Sequence, residues 1–171
     1  MSCANGNSTG GCVCEVVRAI LDIQEAVVEE AKKCDCSSNC FMEPLGAISP
    51  QHHHHYKKKA DTRVITLKNA DGSPFHAFFK GHKHCVSIYF RVEDVFDNCC
   101  ATLRVLIPLK CNEEGKMVPA NLVGDAACCI DMEKVCEVEG FAASHDCVTV
   151  DLHCFCAIQC IEDVDLDLCK Y

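Results

Sequence analysis

The stretch Val148–Cys160, VTVDLHCFCAIQC, decides how this chain is read. Its residues alternate with period two, the spacing of a β-strand, whose successive side chains point to opposite faces. Read as one unbroken strand, Val148, Val150, Leu152, Cys154, Cys156, Ile158 and Cys160 share a face. Thr149, Asp151, His153, Phe155, Ala157 and Gln159 share the other. Three cysteines thus fall on the face that carries the aliphatic residues. Two steps along a strand span roughly 6.6–6.8 Å, at the upper edge of the Cα separation a disulfide tolerates, about 4.4–6.8 Å. Cys154 and Cys156 are therefore poorly placed to bond each other. On this reading Cys154, Cys156 and Cys160 bond a neighbouring strand or stay buried as small apolar groups.

The same period runs upstream. RVITLK (63–68) and FHAFFK (75–80) read as strands flanking the turn NADGSP (69–74). In CVSIYFRVE (85–93), Val86, Ile88, Phe90 and Val92 share one face, and Cys85, Ser87, Tyr89 and Arg91 the other. In CCATLRVLIP (99–108), Cys99, Ala101, Leu103, Val105 and Ile107 point inward while Cys100, Thr102 and Arg104 point out. The segment 111–140 reads as mixed short strands and loops. Val13–Lys33 is instead helical, with Val13, Val17, Ile20, Gln24, Val27 and Ala31 in one stripe opposite Glu15, Arg18, Asp22, Glu25 and Glu29. The expected fold is mainly β, an antiparallel β-sandwich-like domain preceded by one amphipathic N-terminal α-helix. Residues 1–11 form a flexible arm, 12–40 the helix and a Cys-rich turn, 41–62 an exposed loop with a His/Lys run, and 63–171 the β domain.

At 171 residues with 49% hydrophobic and 24% charged composition, the chain is long and apolar enough to bury a core. Its net charge of −9 argues against a nucleic-acid partner, whose phosphates require a basic face. The longest apolar run, around LRVLIPL, is too short to span a membrane. The start MSCANGNSTGGCVCEVV has neither a basic n-region nor an apolar h-region, so synthesis in a reducing cytoplasm is expected. Yet 18 cysteines are a load usually met in short secreted scaffolds. That conflict is the main functional clue.

Adjacent side chains on a strand face opposite ways, so Cys99-Cys100 and Cys128-Cys129 should each send one thiol outward. Exposed thiols are a liability in a monomer but useful as cross-links between subunits. The inter-subunit candidates are Cys3, Cys12 and Cys14 in the arm and at the helix start, then Cys85 and Cys100 on polar strand faces. Cys99, Cys154, Cys156 and Cys160 are the intramolecular or buried set. A thiol-rich zinc-binding protein is the alternative. The spacings do not favour it, because C-x-C and C-x3-C occur but C-x-x-C does not. GHKHC (81–85) reads as a solvated loop, and His52–His55 would bind nickel or zinc weakly whatever their role. No G-x-S-x-G, H-E-x-x-H, P-loop or dinucleotide fingerprint is present, so no catalytic residue, metal or cofactor is assigned.

At YFRVED (89–94), CCATLRVLIP and VTVDLHCFCAIQC the chain resembles the cysteine-rich CotY/CotZ spore coat family, which includes the exosporium protein ExsY. CVCEVVRAI (12–20) and IQEAVVEE (23–30) share that likeness, which covers most of residues 12–37 and 63–161. The resemblance implies a structural, non-enzymatic protein of the outermost endospore layers, coat, crust or exosporium. It implies self-assembly into hexamers and hexagonal two-dimensional arrays held partly by disulfides, in contact with other coat proteins. Subunits made in the mother-cell cytoplasm would assemble reduced and oxidise when that cell lyses, which accounts for a heavy cysteine load without an export signal.

Overall fold

The computed structural model describes residues 12–26, 45–46, 60–81, 83, 85–125, 129–166 and 168. The arm with Cys3, the turn with Cys34, Cys36 and Cys40, the His52–His55 run, Cys128, Cys169 and the continuation of the helix to Lys33 lie outside the described residues. No helix among the described residues is long and apolar enough to cross a membrane.

The fold is mainly β and antiparallel, with a helix at its N-terminal side. Helix α1 spans Cys12–Ala26 and buries the stripe Val13, Cys14, Val17, Ile20 and Gln24. Strands follow as β1 (Thr62–Asn69), β2 (Ala77–Phe78), β3 (Val86–Ser87), β4 (Phe90–Val95), β5 (Cys100–Cys111) and β6 (Met117–Pro119). The short helix α2 (Met132–Cys136) precedes β7 (Gly140–Asp151), a single 3-10 turn (Leu152–Cys154) and β8 (Phe155–Val164). The segment expected to mix short strands and loops thus also holds α2. Asp131 caps α2 by accepting a hydrogen bond from the Glu133 amide.

The main sheet runs β6-β5-β4-β1-β8, and β7 also pairs with β5. Because Leu109 pairs with both Pro119 and Gly140, β6 and β7 lie on opposite edges of β5. β7 and β8 therefore flank the β5–β4–β1 ribbon on its two sides, yet only three residues separate them. Such a short link between opposite edges forces the sheet to curl. The concave face holds α1 over Ile65, Leu67, Phe90, Val92, Ala101, Leu103, Val105 and Val150. Phe75 stacks on Phe90 at 5.3 Å and meets the edge of Phe155 at 5.1 Å, closing the end of this core. The convex face carries a second cluster, Val64, Ile88, Tyr89, Leu106, Ala120 and Leu122, over which Val135 and Val138 from the α2 region pack.

With apolar residues on both faces, β1 and the middle of β5 do not alternate in burial. The alternation expected for CVSIYFRVE fails because the segment is not one strand: β3 ends at Ser87, β4 begins at Phe90, and Ile88 and Tyr89 between them break the parity. Ile88 packs with the convex cluster, Phe90 and Val92 with the concave one, and Ser87 and Tyr89 are buried as well. Among the described residues the buried polar side-chain atoms all have hydrogen-bond partners. Arg63 forms a two-pronged ion pair with Asp163, through Nε at 2.8 Å and Nη2 at 2.9 Å, with both side chains fully buried. Gln24 of α1 accepts from the Arg63 amide at 3.0 Å and donates to the Val92 carbonyl at 3.1 Å, pinning helix to sheet.

Candidate functional site

The chemistry-bearing groups are thiols, and the fold sorts them by strand geometry. The turn from β4 to β5, Phe96–Cys99, is closed by the Cys99 amide on the Phe96 carbonyl and the Phe96 amide on the Cys100 carbonyl. Cys99 sits there at φ 61°, a left-handed position that favours glycine. Cys14 of α1 and Cys99 form a disulfide with Cα atoms 5.7 Å apart. Cys14 is fully buried and Cys99 is 4% exposed. The expectation that Cys14 links subunits is corrected. Position 14 is at the helix start as expected, but it lies on the buried stripe of α1 with Val13 and Val17 and its sulfur is bonded within the chain.

Cys154 and Cys156 need the opposite correction. Both are exposed, because the stretch 148–160 is two strands and not one. Val148, Val150 and Leu152 do face the concave core. The 3-10 turn then takes Cys154 out of the strand, held by the Asp151 carboxylate accepting from the His153 amide at 2.9 Å. In β8 the register with β1 slips between Lys68↔Ala157 and Asn69↔Phe155, so Cys156 is an extra residue, a bulge. A one-residue bulge inverts the parity of everything beyond it. Phe155 and Ile158 consequently both pack on the core while the Cys156 thiol turns out, donating to the Asn69 carbonyl at 3.0 Å. Cys160 packs against the concave core and is itself disulfide-bonded.

Cys85 and Cys100 are half-buried thiols. Cys12 opens α1. Sequence reasoning missed the exposed thiols Cys111, Cys136 and Cys147. Cys111 ends β5 opposite Met117, and Cys136 ends α2 beside Glu137, which bridges to Lys110 at 2.9 Å. Alternation could have signalled Cys147, which falls out of phase with Val148 and Val150.

Cys147 stands across from Arg104. Arg104 and Arg91 are themselves opposed across β4 and β5, and Glu93 pairs with both. Glu93 can do so because it is the bulge residue between Val92 and Asp94. Partial burial pushes the Cys147 thiol up, Arg104 pulls it down, and Glu93 and Asp146 push it up, with a net rise. Among the described residues no cluster of three or more His, Cys, Asp or Glu side chains is arranged to hold a metal ion.

The arrangement is that of a packed domain whose core closes without its outer thiols. The comparisons agree with a structural role. A family profile described as spore coat protein Z matches residues 1–163. Spore coat protein Z of Bacillus subtilis (strain 168) is 32% identical over 158 residues, covering 90% of each chain. No solved structure matches. With the match running from the first residue through all of β8 but its last residue, this chain belongs to the spore coat protein Z family.

Proposed function

We propose that this protein is a subunit of the outermost spore layers that assembles with its own copies into hexamers and flat two-dimensional arrays, which disulfides then reinforce. Its family membership makes it a structural spore coat protein. The observation that carries the finer reading is the division of labour among thiols. Cys14 and Cys99 staple α1 to the sheet inside the core, while Cys111, Cys136, Cys147, Cys154 and Cys156 stand exposed. Solvent-facing thiols do nothing for the packing of the domain they decorate, but on neighbouring subunits they supply covalent links. Cys85 and Cys100, half-buried, are further candidates, as are Cys3 and Cys12. Other coat or exosporium proteins are the remaining partners. Synthesis in the mother-cell cytoplasm requires that non-covalent contacts set the array first and that oxidation follows.

The test is negative-stain microscopy with light scattering on purified protein, with and without reductant. Ordered arrays in both states, more resistant to heat once oxidised, are the expected result. A monomer at high concentration in both redox states overturns the reading.

A further inference from the structure

Of the exposed thiols, Cys111, Cys136, Cys154 and Cys156 gather toward the two ends of β5, while Cys147 lies midway along it, opposite Arg104. β5 runs from Cys100 to Cys111, 12 residues, and acts as a ruler through the molecule. Cys100 pairs with Asp151, the residue that caps the 3-10 turn, and the Leu152 amide donates to the Cys99 carbonyl at 3.0 Å. The turn therefore seats Cys154 at the Cys100 end. Cys156 joins them there through the Asn69 carbonyl, on the residue paired with Phe155. At the other end, Cys111 closes the β5–β6 hairpin. Cys136 lies toward that same end, because its neighbour Glu137 is tied to Lys110 and the Glu139 amide donates to the Leu109 carbonyl at 2.9 Å. Eleven steps of strand separate Cys100 from Cys111, roughly 36 Å of extended chain at about 3.3 Å per residue.

We infer that the molecule is a two-ended cross-linker. Cys100, Cys154 and Cys156 form one reactive end and Cys111 and Cys136 the other, and each end bonds a different neighbouring copy of this chain. This rests on the proposed assembly and specifies its covalent wiring. A disulfide requires Cα atoms within about 7 Å, so a thiol at one end is far out of reach of the other end of its own chain. An end-to-end bond is therefore a bond between chains. A subunit with one reactive end stops at a small closed species, whereas two ends permit an indefinite network. Each link forms when a thiol of one chain and a thiol of another together give two electrons and two protons to a small-molecule disulfide. The new S–S bond joins the chains and the oxidant leaves as two thiols.

The test oxidises reduced, assembled protein with oxidised glutathione, quenches with iodoacetamide and runs denaturing gels without reductant. The wild type is compared with the variant Cys100→Ser/Cys154→Ser/Cys156→Ser and with Cys111→Ser/Cys136→Ser. The wild type is expected to give a ladder of covalent species extending past the dimer. Either variant should shorten the ladder markedly, toward dimer and monomer, while still forming arrays under reductant. Peptide mapping of the oxidised wild type, which depends on no variant folding, should place most of the inter-chain bonds at these five cysteines. A full ladder from either variant, or a map in which Cys154 is bonded mainly to Cys100 or Cys156 of the same chain, overturns the two-ended wiring while leaving array formation standing. A wild type that forms neither arrays nor covalent multimers overturns both.

Discussion

At the scale of single residues, the Arg63–Asp163 pair and Cys147 carry predictions. Arg63 and Asp163 are fully buried and joined by two hydrogen bonds. Removing one partner leaves the other charge in the interior, at a cost of roughly 3–5 kcal/mol. Arg63→Met should therefore lower the urea midpoint strongly, whereas Lys116→Met, which breaks an exposed pair, should leave it within about 0.5 kcal/mol. Cys147 makes a prediction about pH. Although the residue is exposed, neighbouring atoms shield its thiol partly from water and hold it above its ordinary value, despite Arg104 beside it. Only the thiolate is alkylated. The pH midpoint of Cys147 alkylation, followed by mass spectrometry, should rise further in Arg104→Met, which removes the stabilising cation. It should fall in Glu93→Gln, which removes an opposing carboxylate. A midpoint that moved down in both variants would mean that packing and not charge sets it.

At the scale of elements, the attachment of α1 to the sheet is the feature most open to measurement. The Cys14–Cys99 bond closes a loop with a sequence separation of 85. In the chain-entropy view such a loop is worth roughly 4–5 kcal/mol, with native strain reducing it. Cys14→Ala/Cys99→Ala should accordingly lower the melting temperature by several degrees in the monomer. Because position 99 is left-handed, Cys14→Ala/Cys99→Gly should recover about 1 kcal/mol of that loss. Identical stabilities for the two double variants would show that the turn relaxes once the sulfur is gone. The convex layer has its own reporter in Tyr89, 4% exposed and tilted against Phe141 at 4.8 Å. Burial first, and Cys136 second, push its hydroxyl up to about 12 from 10.0. The unfolded chain then loses this proton at lower pH than the folded one. Stability is intact below pH 10 and falls between pH 10 and 12, by on the order of 2 kcal/mol. Chemical unfolding under reductant across that range should show a steeper decline for the wild type than for Tyr89→Phe.

At the scale of the whole molecule, the curl of the sheet unites the two halves of the chemistry. It brings β7 and β8 together at one end, where Cys154 and Cys156 emerge, and it encloses the cavity that α1 fills and Cys14–Cys99 seals. Among the described residues the domain therefore presents a closed core with Cys111, Cys136, Cys147, Cys154 and Cys156 exposed outside it. For such a body, oxidation of assembled arrays should leave the lattice spacing unchanged in electron diffraction while raising the temperature at which order is lost. A spacing that changed on oxidation would show that the bonds help to shape the lattice and do not merely hold it.

The sequence by itself determined the elements whose side chains repeat without interruption. The stripe of α1, the inward set Ala101, Leu103, Val105 and Ile107 of β5, and the β class of the fold follow from local periodicity, because a buried face must recur every two or every 3.6 residues. The motifs CCATLRVLIP and VTVDLHCFCAIQC were likewise enough to place the chain among the spore coat proteins. Only the tertiary structure decided which thiols face out. The bulge at Cys156 and the corner at Cys154 are settled by pairing with β1 and by the three-residue link between opposite sheet edges. The partner of Cys14 lies 85 positions away. The second apolar face, carried by Ile88, Tyr89 and Leu106, came into view only once the α2 region was seen to cover it. Periodicity reports on neighbours along the chain; bulges, corners and disulfides are fixed by neighbours in space.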